Sequence, residues 1–456
     1  MTFQPEAGSK QNPVALQPIF ADLHVHIGSS AGGLPVKISA SRNLTFQSIA
    51  HEASVRKGIR MVGVIDSHSP PVQEDIMRLL DAGEMEEAAG GGIRYKDTVL
   101  ILGVEMEIRE PGGGPFHLLG YLPNLAAMQQ WTKWLAARTK NIQLSSQRVN
   151  GTARELQAAL LELGGILAPA HVFTPHRGLL GCSADRLADR LDPAGIAAIE
   201  LGLSADTQMA QRLSQLDSYP FLTNSDAHST GMIARECNEL LIGEPSFDEL
   251  LMALRSEQGR RIVANYGLHP RLGKYHTTWC SVCQKAFPDA SASMGACPQC
   301  GGSKLVRGVA GRVEQLADRG EASAGIADVT VYGLENARAD SSTISPVAGA
   351  KLDVSVEARL EAEALLPVID KRPPYRHLIP LSFFPGIGPR MMDRLLGEVG
   401  TEMDILLRVP GETLAKVAGD KLAQLIIAAR EQRVSFISGS GGAYGKLVVD
   451  TTNQKG

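Results

Sequence analysis

Short apolar runs alternate with amphipathic stretches along the N-terminal part of the chain. Runs at 19–23, 59–65, 98–107, 165–170, 196–201, 221–224 and 261–264 are brief, rich in Ile, Val and Leu, and closed by polar or turn-forming residues, which predicts strands. The intervening stretches 45–57, 71–89, 125–137, 153–163, 206–216 and 246–255 space their apolar residues three and four apart, as a helix with one buried face requires. This alternation predicts an α/β unit of about 250 residues, most economically a barrel, with its site at the strand ends. Residues 1–18 are polar and read as a loose lead-in, so the unit spans 19–267. Beyond it, 268–312 is basic, glycine-containing and cysteine-paired, and 313–376 reads as a connecting segment, partly extended over 325–363. Residues 377–456 read as a helical tail with two similar helix–turn signals.

At 456 residues the chain exceeds the roughly 250–300 residues at which one core stops growing, so at least two domains are expected. Its 44% hydrophobic and 21% charged residues suit a globular protein and argue against a disordered or fibrous one. No apolar run reaches the ~18 residues of a membrane span, and Met1-Thr2-Phe3-Gln4-Pro5-Glu6 lacks the basic-then-apolar order of an export signal. A cytoplasmic protein without membrane contact is expected. The net charge of -4 argues against a wholly basic nucleic-acid wrapper, yet the charge is unevenly spread. Residues 260–312 hold eight Lys or Arg against one acidic residue, Asp289; 371–456 hold twelve against eight, and 313–370 four against eleven. Two regions are thus able to face a polyanion while the segment between them stays acidic.

Asp22-Leu23-His24-Val25-His26 ends the first predicted strand. Residues two apart in a strand point the same way, so His24 and His26 are placed to hold one metal ion together. Asp66-Ser67-His68, Glu105 with His117, His171 and Asp226-Ala227-His228 follow at later strand ends, and Asp226 with His228 repeats the spacing. Imidazole mixed with carboxylate suits Zn, Mn, Fe or Mg and not a thiolate-selected ion. Such ions acidify a bound water and neutralise a leaving oxygen, which fits phosphate-ester hydrolysis, with amide hydrolysis or deamination as competing chemistry. His51 reads as an ordinary hydrogen-bonded histidine, and His176 beside Arg177 as a phosphate contact.

On these residues, 19–265 resembles the polymerase-and-histidinol-phosphatase (PHP) family. His24 and His26 match its opening HxH; Asp66 and His68 match its Asp-His, here separated by Ser67. Glu105 matches the bridging carboxylate, His117 and His171 the next histidines, and Asp226 with His228 the closing DxH. The chain departs at Ser30-Ala31-Gly32, where the family often has Ser-Asp-Gly and so a further carboxylate. The resemblance implies a distorted seven-stranded barrel, two or three catalytic divalent ions (Zn, Mn or Mg) held by these residues, and phosphoester hydrolysis. It also implies catalytic roles for His24, His26, Glu105, His171, Asp226 and His228.

Cys280-x2-Cys283 and Cys297-x2-Cys300, separated by thirteen residues, predict one structural zinc held by four thiolates. Two disulfides are the alternative, disfavoured in a reducing compartment, and Cys182 and Cys237 read as unpaired thiols. Zinc would order a segment poor in apolar residues and fix Arg271, Lys274, Lys285, Lys304 and Arg307 in one patch. Tyr275, His276 and Trp279 beside it suit stacking on a base, with packing against the zinc module as their alternative role. In the tail, Phe384-Pro385-Gly386-Ile387-Gly388-Pro389-Arg390 precedes a predicted helix and resembles a helix-hairpin-helix DNA-binding element, with Gly386, Gly388 and Arg390 towards phosphate. A turn between packed helices is the plain alternative. Residues 409–421 look like a weaker second copy, and 439–445 like a flexible loop without the spacing of a P-loop.

A metallohydrolase barrel joined to two basic modules makes a DNA phosphodiester the expected substrate. Gly267-Leu268-His269-Pro270, Gly273-Lys274-Tyr275-His276-x3-Cys280 and Pro374-Tyr375-x-His377-Leu378-Ile379-Pro380-Leu381 resemble connecting motifs of a DNA-repair endonuclease branch of the PHP family. That resemblance implies damaged DNA as partner, with the altered base flipped from the duplex. Cleavage would fall 5′ to uracil, hypoxanthine, xanthine or an abasic site, leaving 3′-hydroxyl and 5′-phosphate ends. The competing functions are a PHP-type phosphatase or small-molecule phosphoesterase, and a non-catalytic DNA-binding scaffold. The sequence names no protein partner.

Overall fold

The computed structural model describes residues 15–287, 295–320, 372–437, 439 and 441–448. Asp289, most of the expected lead-in and the stretch 325–363 lie outside the described residues.

Strand β1 (Gln17–Val25) is buried along nearly its whole length. Ile19, Ala21 and Leu23 face one apolar cluster and Phe20 faces another, which Val25 joins past an irregularity between Asp22 and Val25. The same alternation holds in β2 (Met61–Val64) and β5 (Thr98–Ile108), where Met61, Val99 and Ile101 join the first cluster and Val62, Leu100 and Leu102 the second. Burial on both faces is what turns these strands into continuous apolar runs.

Hydrogen bonding carries β1 to β2 to β5, both steps parallel, then antiparallel to β6 (Phe116–Leu122) and from it to β7 (Ile166–Pro169). Ala197 N donates to Leu167 O (2.8 Å) and Val172 N to Glu200 O (2.9 Å), bringing in β8 (Ile199–Glu200), which runs parallel to β9 (Phe221–Leu222). A parallel bridge between Val25 and Ala227 returns to β1 and closes a distorted seven-stranded ring. The barrel is therefore present, but its membership differs from expectation. Strand β6 belongs to it, whereas β11 (Arg261–Gly267) lies outside, paired with β10 (Cys237–Ile242) on the early half of β1.

Helices flank the ring: α1 (Phe46–His51), capped by Thr45, then α2 (Pro70–Asp81), α3 (Leu125–Ala136), α4 (Ala153–Glu162), α5 (Thr207–Ala210) and α6 (Phe247–Leu254). The helix expected over 71–89 stops at Asp81, because Gly83 turns left-handed (φ 68°) and the chain enters a short strand, β3 (Glu86–Glu87), paired with β4 (Ile93–Tyr95). The one expected over 206–216 is a single turn followed by a 3-10 turn at Ser214–Leu216.

The cysteine segment forms a small sheet of Trp279–Cys280, Lys285–Ala286 and Leu305–Val306 and continues into α7 (Val309–Leu316). Arg312 Nε of α7 donates to Leu180 O (2.6 Å), seating the module on the barrel. The tail comprises α8 (Pro389–Glu398), α9 (Glu402–Leu407), α10 (Gly411–Ala418) and α11 (Asp420–Arg430). A hairpin of Ser435–Ile437 and Lys446–Val448 follows. Tyr375–His377 extends the main sheet by pairing with β11, so the tail is stitched to the barrel. Among the described residues, no helix is long and apolar enough to cross a membrane.

Glu236 is buried beside this junction. Leu268 N donates to its Oε1 (2.8 Å), while Oε2 has no hydrogen-bond partner among the described residues. Burial outweighs Leu268 N–H and Arg235 and lifts the carboxyl to about 8. The folded protein thus keeps a proton that an unfolded chain releases near pH ~4.3. This contribution to stability is full below the unfolded value and lost as pH rises through the folded one. Glu236→Gln should abolish the loss, so its melting temperature should gain on the parent progressively from about pH 4.3 to about pH 8. A constant offset across that range would show that Glu236 does not titrate there.

Candidate metal centre

Ends of the ring strands empty into one cavity of about 600 Å³, lined among others by Lys37, Glu105, His117, His171, Glu200 and Asp226. His24 and His26 are fully buried behind Glu105 and Asp226, their Nε2 atoms 3.3 Å apart. A carboxylate stands behind each ring: Glu200 Oε1 is 3.0 Å from His24 Nδ1 and Asp66 Oδ2 is 3.0 Å from His26 Nδ1. Such a partner holds the proton on Nδ1 and leaves the Nε2 lone pair for an ion.

Glu105 lies at the centre. Its Oε1 is 3.7 Å from His24 Nε2, 2.7 Å from His117 Nδ1 and 3.5 Å from His171 Nε2, and its Oε2 is 3.6 Å from His26 Nε2. Asp226 Oδ1 is 3.6 Å from His24 Nε2, 3.4 Å from His26 Nε2 and 3.6 Å from His228 Nδ1. The donors form three overlapping groups, His24–His26–Glu105, Glu105–His117–His171 and His26–Asp226–His228, each with its ligand atoms within 4.8 Å of one another. Asp226 (φ 45°) and His171 (φ 30°) both occupy left-handed backbone, a strain that accumulates where geometry serves a site.

The electrostatics are strongly coupled. Burial works against the charged form of His24, but Glu200, Asp226 and Glu105 outweigh it and lift the imidazole to about 10, so a cation taken up at Nε2 would displace a proton there. Burial likewise opposes ionisation of Glu105 and Asp226; His117 and Lys37 hold the first, and His24 and His26 the second, well below the usual carboxylate range. Burial and His26 push His228 down to about 4, leaving a neutral imidazole. Buried nitrogen and oxygen donors this close together suit a divalent cation between them, their mixture being that of Zn, Mn or Mg sites.

Asp66 takes a supporting place: besides His26 it accepts from Ile27 N (2.8 Å). His68 is buried but outside the three groups, its Nε2 3.4 Å from Leu144 O. Arg177 is paired with Glu107 (2.9 Å), and His176 packs edge-on against Tyr275 with ring centres 5.3 Å apart. His51 stands 3.4 Å from Tyr95 Oη. The four thiols Cys280, Cys283, Cys297 and Cys300 gather within 4.8 Å, with no disulfide, and Cys182 and Cys237 are free.

Lys274 and Tyr275 line the metal cavity. Next to it, His176, Tyr275, Trp279, Arg307 and Gly441 line a second cavity of about 250 Å³. His276 is on the same segment but lines neither, and Arg271 is exposed. Gly386, Gly388 and Arg390 are exposed at the start of α8, where Gly386 adopts φ 94°. Of the stretch 439–445, expected to be a flexible loop, the described residues are docked: Gly439 N donates to Arg271 O (2.6 Å) and Gly445 N to Leu272 O (2.9 Å). A Cβ on Gly441 would come within 2.7 Å of the Trp279 ring, so only glycine allows that approach. The loop brings Tyr444 to the metal cavity, where Arg235 donates to its hydroxyl and Lys274 Nζ stands 4.5 Å from its ring centre.

Sequence reading missed Lys37, Glu200, Arg235 and Tyr444. Glu200 left a trace, a carboxylate within an otherwise apolar predicted strand. The other three come from segments with no periodic signal.

Comparison with known proteins agrees with this fold. A family model described as PHP-associated matches residues 206–258. The protein YqxK of Bacillus subtilis is 42% identical over 434 residues, covering 95% of this chain and all of the relative. MJ0043 of Methanocaldococcus jannaschii is 32% identical over 262 residues, 55% of this chain and 28% of that protein. The lesion-specific endonuclease PfuEndoQ of Pyrococcus furiosus superimposes with a TM-score of 0.73 at 29% identity, covering 96% of this chain and 97% of that one. Endonuclease Q in complex with a 27-mer duplex carrying an abasic lesion at the active site gives 0.75 at 28% identity, over 96% and 98%. With a relative matched end to end and endonuclease Q structures followed along nearly the whole chain, this protein belongs to the endonuclease Q family of PHP-type enzymes.

Proposed function

We propose that the protein is a metal-dependent DNA endonuclease that cuts the phosphodiester 5′ to a deaminated base (uracil, hypoxanthine or xanthine) or an abasic site. One observation carries this reading: an aromatic cavity adjoins the metal cavity and shares His176 and Tyr275 with it. A base turned out of the duplex would be stacked beside Tyr275 and Trp279 while its 5′ phosphate reaches the donor cluster. The likeness to a lesion-specific endonuclease, and to a complex with lesion-bearing duplex, supports the same substrate.

His24, His26, Glu105 and Asp226 would hold one divalent ion and Glu105, His117 and His171 a second. The chemistry supplied there is neutralisation of phosphate charge and activation of water. The chain's own groups do the rest. Glu200 and Asp66 fix the tautomers of His24 and His26. Lys37, Lys274 and Arg235 make the cavity attractive to an anion. Residues 19–267 are read as the catalytic unit and 268–312, with zinc on Cys280, Cys283, Cys297 and Cys300, as the module that walls the base pocket. Residues 377–456 are read as the duplex-binding unit, with Gly386, Gly388 and Arg390 on phosphate. The free thiols Cys182 and Cys237 suit a reducing cytoplasm.

End-labelled duplexes bearing one uracil, hypoxanthine or abasic site, incubated with the Mn- or Mg-loaded protein, should each be nicked once, 5′ to the lesion. The undamaged duplex should stay intact. Hydrolysis of a phosphomonoester without DNA cleavage would instead mark a phosphatase, and duplex binding without turnover a scaffold.

A further inference from the structure

Asp226 is held in left-handed backbone (φ 45°), and so is Ala234 on the same segment (φ 63°). Residues other than glycine keep such conformations only where the surroundings fix them. Two buried groups do so here. The carboxylate of Asp22, on β1, accepts from Ser225 N (3.0 Å) with one oxygen and from Ala234 N (2.9 Å) with the other. The guanidinium of Arg235, a residue only 6% exposed, takes the carbonyls: its Nε donates to Ser225 O (2.7 Å) and its Nη2 to Asp226 O (3.3 Å). The peptide groups before and after Asp226 are thereby both fastened to one side chain.

The remaining arm of Arg235 reaches the end of the chain. Its Nη1 donates to the hydroxyl of Tyr444, in the loop that closes the hairpin of Ser435–Ile437 and Lys446–Val448. The same loop lines the aromatic cavity with Gly441 and Gly442, and Gly442 N donates to Lys274 O (3.2 Å). Its described residues therefore meet the aromatic cavity at Gly441–Gly442 and the metal cavity at Tyr444. The charge of Arg235 acts on the metal cavity, but each of its three nitrogens already has a protein oxygen as partner. That is the arrangement of a brace, for which a planar fork is suited and a lysine is not.

We propose that Arg235 and Tyr444 are positioning residues, through which the loop walling the aromatic cavity holds Asp226 in place at the metal centre. The inference rests on the proposed function and deepens it. The wall that would meet the flipped base and the carboxylate that would meet the ion are then one connected unit.

Two measurements on the full-length protein test this: Mn half-saturation without DNA, read from the electron paramagnetic resonance of free Mn, and single-turnover incision with duplex affinity determined separately. Tyr444→Phe keeps the ring and removes only the hydroxyl. It should raise the half-saturating Mn concentration about tenfold and slow incision about tenfold, with duplex affinity within about threefold of the parent. Arg235→Lys keeps the charge and removes the fork, and should slow incision about 100-fold. The double variant should be no slower than Arg235→Lys, since the hydroxyl acts only through the guanidinium. Gly441 does not line the metal cavity, yet Gly441→Ala, whose Cβ would press on Trp279, should shift Mn half-saturation in the same direction as Tyr444→Phe.

A Tyr444→Phe protein with the parent's Mn half-saturation would overturn the assignment, as would a Gly441→Ala protein with no shift. An Arg235→Lys protein within about threefold of the parent rate would also overturn it, because charge alone would then suffice. So would a double variant slowed by the product of the single effects, about 1,000-fold, which marks independent roles. If Arg235→Lys fails to fold, Tyr444→Phe and Gly441→Ala still decide. Because Mn binding is read without DNA, a wild type that incises no lesion duplex would sink the substrate reading and leave the Mn shifts to decide this one.

Discussion

Asp226→Asn should slow incision of a lesion-bearing duplex by about 10³- to 10⁴-fold while changing duplex affinity by no more than about threefold, the loss of several kcal/mol of charge stabilisation at the reacting phosphate. Asp226 Oδ1 lies within 3.6 Å of nitrogen atoms of His24, His26 and His228, so a neutral amide there removes an anionic ligand from the centre of the cluster. Asparagine is the cleaner substitution than alanine. The residue sits at φ 45°, where asparagine is among the best-tolerated side chains and alanine adds backbone strain to the loss of the carboxylate. Affinity should survive because the exposed Arg271 and the Gly386–Arg390 turn are supplied by other parts of the chain. Single-turnover incision and fluorescence anisotropy on one duplex separate the two quantities. Turnover above about a tenth of the parent value would mean that less than ~1.4 kcal/mol was lost, too little for a metal ligand.

The candidate ligands that were legible in the sequence share a property: their geometry is local. His24 with His26, and Asp226 with His228, are two residues apart near strand ends, so the period of a strand already places each pair on one side. Glu105 was legible as a lone carboxylate at the end of a long apolar run. The supporting groups are set by contacts across the chain. Glu200 meets His24 from 176 positions away, and Lys37 reaches Glu105 from a loop without periodicity. Closure of the ring was hidden for the same reason: Phe116–Leu122 is as apolar as Arg261–Gly267, and only long-range pairing decides which one joins the barrel. Tyr444 was least legible, because a glycine-rich stretch reads as loose until Trp279 is seen packed against it.

Lys57→Met should destabilise the protein by about 3–5 kcal/mol, since it leaves the Glu402 carboxylate buried without its counter-ion. Lys57 ends the turn that continues α1, and Glu402 opens α9; their side chains are 4% and 5% exposed and form an ion pair across the barrel–tail junction. Lys57 Nζ also donates to Gly231 O (3.2 Å), and Glu402 Oε1 accepts from Leu381 N (3.0 Å), just before the Gly386–Gly388 turn. The pair therefore fixes where the Gly386–Gly388 turn, proposed to bind duplex, stands relative to the candidate metal centre. Adding Glu402→Gln to Lys57→Met should recover much of the loss, because the amide removes the stranded charge and keeps an acceptor for Leu381 N. Arg56 and Asp393, 2.9 Å apart at the exposed edge of the same junction, should matter far less when exchanged, by at most about 1 kcal/mol. Denaturant titration followed together with retained Mn tests the arrangement. The tail should detach in Lys57→Met while the barrel keeps its metal, and lesion-duplex affinity should fall with the detached fraction. A Lys57→Met protein that detaches its tail but still binds duplex at the parent affinity would show that the duplex is held by the barrel and the cysteine module alone.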